Sequence, residues 1–116
     1  MPDQATLRIR DLNDRFRAYL NNVGGRFGAL LYVTSGVAAL GENFVAHAIQ
    51  AACTFDAFTP DNDPWGEHDF GAFDLEGEHL FWKIEYLDRD LQFGSEDPAD
   101  SESTTRVLTV MLAAEY

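Results

Sequence analysis

The chain has 116 residues, near the commonest single-domain size of roughly 100–150, and is read as one domain over residues 1–116. Hydrophobic residues make up 46% and aromatic residues 13%, which excludes a disordered tail. Twenty acids against eight Lys and Arg leave a charge of −12, which repels a phosphate backbone and excludes direct nucleic-acid binding.

A first helix is predicted where Leu7, Ile9, Leu12, Phe16, Tyr19 and Leu20 recur near helical spacing, with the arginines largely between them. Asn21-Asn22-Val23-Gly24-Gly25 ends it. Phe27 to Thr34 is an apolar run that reads as a buried strand, broken by Ser35-Gly36. A second helix follows from Glu42 to Cys53, with Phe44, Val45, Ala48, Ile49, Ala52 and Cys53 on its apolar face. Cys53 is the only cysteine, so no intrachain disulfide forms and a reducing cytoplasm is the expected compartment. No apolar run reaches the roughly 18 residues of a membrane span, so no membrane association is expected.

Residues 54–71 are rich in Pro, Gly and Asp, yet Phe55, Phe58, Trp65 and Phe70 predict a loop pinned to the core. Strands at Phe70–Leu75 and His79–Leu87 flank Glu76-Gly77, a tight hairpin turn. Leu80, Trp82, Ile84 and Tyr86 share one face of the second strand. A third short strand is expected at Leu91–Phe93 and a loop over Ser95–Asp100. In the last segment, the β-branched run Thr104 to Val110 suits a strand, whereas Val107, Leu108, Met111 and Leu112 match a helical face. A helix is expected, because Asp100 or Ser101 offers a cap and Met111 to Glu115 are good helix formers. The fold class is α+β: a small, mainly antiparallel sheet with helices packed on one face.

The densest polar stretch runs from Thr59 to Gly71. Asp63-Pro64-Trp65-Gly66 has the residues of a type I turn, in which Asp63 accepts backbone N–H bonds; Asp63, Pro64 and Gly66 are the structural turn. Glu67-His68-Asp69 places carboxylates beside an imidazole, the residue types of acid–base catalysis and of metal ligation. At the start of a strand, however, His68 would point away from Glu67 and Asp69, and no second His or Cys pair stands at ligand spacing. No metal or other cofactor is therefore expected. Cys53, on the apolar face of a helix, reads as a buried, inert thiol.

Charge is unevenly placed. Residues 1–53 carry five arginines against four acids, whereas residues 54–116 carry three bases against sixteen acids, a balance of −13. Fifteen of those acids fall between Asp56 and Glu102. Such a surface offers negative charge to a basic groove and competes there with nucleic-acid phosphate. Asp88, Asp90, Glu96 and Asp97 are assigned to an exposed acidic edge, and Trp65 to an interface anchor.

Residues 62–71, Asn-Asp-Pro-Trp-Gly-Glu-His-Asp-Phe-Gly, resemble the hallmark of a bacterial family of small proteins of unknown function. The resemblance continues through Arg10-Asp11-Leu12-Asn13-Asp14, Trp82-Lys83-Ile84-Glu85-Tyr86, Asp97-Pro98-Ala99-Asp100 and Arg106 to Tyr116. Trp65 stands where the family pattern has Tyr or His. The resemblance transfers no catalytic residues. It implies a cytoplasmic protein, often associated with plasmids and other mobile elements, which also carry small acidic inhibitors of host defence. The function expected is thus an acidic, non-enzymatic binding protein whose partner has a basic surface. An inhibitor of a restriction or CRISPR system (an anti-CRISPR or anti-restriction protein) is one such case. The alternative is a small metal-dependent or acid–base hydrolase centred on Glu67, His68 and Asp69, with Asp61 or Asp63 assisting.

Overall fold

The computed structural model describes residues 3–23 and 30–116. Helix α1 spans Gln4–Val23 and is capped by Asp3, whose Oδ1 accepts the Thr6 N–H at 2.8 Å. Strand β1 (Leu31–Val33), the short helix α2 (Ser35–Ala38) and helix α3 (Glu42–Thr54) follow. Strands β2 (Phe70–Leu75), β3 (Glu78–Leu87) and β4 (Thr105–Leu112) lead to a 3-10 turn over Ala113–Glu115. Gly24-Gly25 and the first residues of the run begun by Phe27 lie outside the described residues; the described part of that run is β1.

The four strands form one sheet in the order β1-β4-β3-β2, antiparallel except for the parallel β1–β4 edge. The hairpin turn at Glu76-Gly77 has both residues at positive φ, 51° and 82°, as a two-residue turn between right-twisted strands requires. The helices cover one face of this α+β sheet. Leu80, Trp82, Leu108 and Val110 meet Leu20, Val37, Ala48 and Ala52 there, all fully buried. Each large apolar side chain so buried contributes about 1.5–3 kcal/mol. Gly71 faces Trp82 across the β2–β3 ladder, and a Cβ at that position would stand 2.2 Å from the indole Nε1.

Two expectations are corrected. The segment read as a final helix is β4, the inner strand between β1 and β3. Its β-branched run is buried on both faces, and tertiary pairing overrides the helix-forming tail, of which only Ala113–Glu115 coils. The strand expected at Leu91–Phe93 is a turn. Asp88 Oδ1 accepts the N–H groups of Asp90 and Gln92 at 3.1 Å each, and Leu91 adopts φ 61°, so the chain reverses instead of extending. Past this turn Gly94 forms an isolated bridge with Leu87.

Candidate functional site

Arg10, Asn13, Asp14 and Arg17 stand at i, i+3, i+4 and i+7 and therefore share one face of α1. That face is turned to the Asp63–Asp69 segment and the core. Arg10 Nε donates to Gly66 O at 2.6 Å. Asn13, fully buried, donates through Nδ2 to Glu67 O at 2.9 Å and to Tyr86 Oη at 2.8 Å, while its Oδ1 accepts from Arg106 Nε. Because a guanidinium only donates, Arg106 fixes the orientation of the Asn13 amide. Arg17 donates to the carbonyls of Ala52 and Phe55 at 2.9 and 2.8 Å. Its guanidinium carbon lies 4.6 Å from the Trp82 ring centre and 5.3 Å from that of Phe58. Burial lowers the pKa values of Arg17 and Arg106.

The expected turn is present: Gly66 N–H donates to Asp63 O at 3.1 Å, and Asp63 Oδ1 accepts the His68 N–H at 3.2 Å. His68 has φ 57° and precedes β2, so the strand alternation anticipated for it does not apply. Its ring stacks on Phe58, with centroids 3.8 Å apart and planes 3° from parallel. Nδ1 lies 2.9 Å from Asp14 Oδ1, the same oxygen that Arg17 Nη2 approaches at 3.4 Å. Nε2 lies 3.7 Å from Asp63 Oδ2. A cleft of about 600 Å³ opens beside this ring, bounded by Arg10, Phe58, Pro60, Asp63 and Trp65.

Glu67, His68 and Asp69 are not brought together. Glu67 Oε1 accepts the Tyr86 hydroxyl at 2.8 Å, His68 turns to Asp14 and Asp63, and Asp69 lines a second cleft. Burial, reinforced by the charges of Glu67 and Asp63, raises the Asp69 pKa to about 6. Burial also pushes the Tyr86 phenol upward. Among the described residues no three His, Cys, Asp or Glu side chains are grouped to hold a metal ion. Cys53 is buried, and burial raises its thiol pKa to about 11, which leaves it protonated at neutral pH.

The sequence profile of a family described as a protein of unknown function matches residues 33–115. The chain belongs to this family, DUF3768. No curated protein and no solved structure matches the chain. In this DUF3768 protein the matched span holds the whole Asp63–Asp69 segment, whereas α1, which supplies Arg10, Asn13, Asp14 and Arg17, precedes it.

The remaining assigned residues lie around the same end of the sheet. Residues 57–69 lead into the start of β2, and residues 88–104 join the end of β3 to the start of β4. Those two loops carry ten carboxylates: Asp61, Asp63, Glu67, Asp69, Asp88, Asp90, Glu96, Asp97, Asp100 and Glu102. Asp90, Glu96 and Asp97 are exposed, and Asp88 is half-buried by its own turn. Asp97 Oδ1 accepts the Ala99 N–H at 3.2 Å, so it too shapes its loop. Trp65, at the tip of its turn, is 78% exposed. Among the described residues none of the ten pairs with a Lys or Arg; the single contact within ion-pair distance is Asp63 with His68. Arg10 and Arg106, the guanidiniums that reach this end from α1 and β4, donate to Gly66 O, Asn13 Oδ1 and Pro98 O instead. Arg89 donates to the Glu102 carbonyl.

Sequence reasoning missed the α1 stripe. The signal was present as four polar residues at helical spacing, of which only the arginines were noted, as lying between the apolar positions.

Proposed function

We propose that this protein is a non-enzymatic binding protein that docks the acidic end of its sheet onto a basic protein surface. The observation that carries this reading is the lack of compensation among the described residues: ten carboxylates lie in two adjacent loops, and the nearby guanidiniums serve backbone carbonyls and an amide. A field of that kind speeds association and favours a partner groove that otherwise holds phosphate. A nucleic-acid-handling enzyme, including one of a host defence system, has such a groove, and occupying it would inhibit the enzyme. The test compares capture from a bacterial extract by the wild type with capture by a variant carrying Asp88→Asn, Asp90→Asn, Glu96→Gln and Asp97→Asn, which keeps the turn acceptors. The reading expects a partner held by the wild type alone and released by salt and by added duplex DNA. Equal capture by both proteins, insensitive to salt, contradicts it.

A second reading, acid–base hydrolysis, is favoured by one observation: the Asp14 carboxylate orients the His68 ring, whose Nε2 lies beside the cleft with Asp63. His68 would relay a proton through Nε2, with Asp14 as its positioning partner. Glu67, bound to the Tyr86 hydroxyl, takes no part in this version. Hydrolysis of any of a set of ester, amide and phosphodiester substrates that is abolished in His68→Gln would favour it. An inactive wild type would remove it.

A further inference from the structure

Trp65 separates two clefts, and the second has the makings of a cation site. It encloses about 380 Å³ and is bounded by Trp65, Phe70, Tyr116, Asp63, Asp69 and Lys83. Trp65 and Tyr116 are 78% and 73% exposed. Tyr116 is held edge-on against Phe70, with ring centres 6.0 Å apart, and against Phe81 at 5.4 Å, so the aromatic wall is preformed. Among the described residues Trp65 has no aromatic or cationic partner on its ring.

The two carboxylates of this cleft have no Lys or Arg partner among the described residues. The Asp63 side chain is only 6% exposed; its Oδ1 accepts the His68 N–H, and among the described residues its Oδ2 accepts no hydrogen bond and lies 3.7 Å from His68 Nε2. The Asp69 carboxylate has a backbone hydrogen bond but accepts none from another described side chain. Lys83 borders the cleft, but its ammonium lies 3.1 Å from Glu85. Two carboxylates beside aromatic rings favour a cation over a neutral ligand.

We propose that Trp65, Phe70 and Tyr116, with the carboxylates of Asp63 and Asp69, form a cage for one arginine side chain of a protein partner. The inference rests on the reading of the acidic end as a docking surface and names the anchor within it. A guanidinium suits the cage because it stacks flat on an indole while its N–H groups reach two carboxylates at once. The neighbouring acidic loops would steer a basic partner toward it.

The test titrates the whole protein with the capped tripeptide Gly-Arg-Gly and with its lysine and citrulline counterparts, following the indole N–H resonances. Trp82 is fully buried and serves as the internal control. The arginine peptide is expected to shift the Trp65 resonance saturably and to leave Trp82 in place. Citrulline, equal in shape but uncharged, is expected to bind at least about tenfold more weakly, with lysine between them. Asp69→Asn should weaken the arginine peptide by about tenfold or more while the remaining spectrum stays that of the folded protein. Equal shifts from arginine and citrulline, or an unchanged response in Asp69→Asn, would overturn the cage. Salt-dependent partner capture without a Trp65 shift refutes the cage alone. A Trp65 shift together with salt-insensitive capture upholds the cage and refutes the wider acidic-end reading.

Discussion

His68 Nδ1 lies 2.9 Å from Asp14 Oδ1, across 54 positions of sequence. This contact ties the loop ahead of β2 to α1, and the stack on Phe58 holds the ring within that loop. His68→Ala removes both and is expected to destabilise the fold by about 1–2 kcal/mol, read as a fall in the thermal midpoint. Under the binding account partner affinity at a temperature where the variant is folded stays unchanged. The hydrolytic reading instead requires complete loss of turnover.

Asn13 is the fully buried polar side chain of α1, joining the Glu67 carbonyl, the Tyr86 hydroxyl and Arg106. Asn13→Ala leaves a buried guanidinium nitrogen and a carbonyl without partners. The expected cost is about 2–3 kcal/mol in chemical denaturation, more than for a surface residue of the same helix such as Arg15→Ala.

The parts of the fold that were legible in sequence are those with a strong apolar period. Leu7 to Leu20, Phe44 to Cys53 and the alternation Leu80-Trp82-Ile84 placed α1, α3 and β3, and Glu76-Gly77 placed the hairpin turn. β4 was misread because local propensity competes with pairing: good helix formers end the chain, but Thr105 to Leu112 fills the centre of a sheet. The site was less legible. Arg10, Asn13, Asp14 and Arg17 form a polar stripe that is partly or fully buried, against the usual rule for a helix face. The local run Glu67-His68-Asp69 suggested one cluster, but a positive φ at His68 sends the three side chains to different partners.

Asp69 predicts a pH dependence. Its pKa is about 6 in the folded protein against an ordinary 3.8, so the native state holds the proton more tightly than the unfolded chain does. The stabilisation this provides is complete below the ordinary value and is lost as pH rises through 6. Asp69→Asn should therefore raise the thermal midpoint at neutral pH and lose that advantage as the pH falls toward the ordinary value. A constant difference across that range would contradict burial as the cause.

Gly71 is required by the close approach of Trp82, whose Nε1 would meet a new Cβ at 2.2 Å. Gly71→Ala is expected to cost about 3 kcal/mol and to disturb the Trp82 emission, whereas Gly94→Ala, with its nearest atom at 3.8 Å, should be nearly neutral. Equal stability of the two variants would refute the packing described for β2 on β3.

The central claim is that uncompensated carboxylates around Asp88, Asp90, Glu96 and Asp97 drive association. It is tested most directly by the affinity for a purified captured partner, followed against salt for the wild type and the four-site neutralised variant. The account predicts that affinity falls steeply with salt for the wild type and distinctly less steeply for the variant, the two converging at high ionic strength. Parallel curves, or a wild-type affinity that salt does not change, would contradict it.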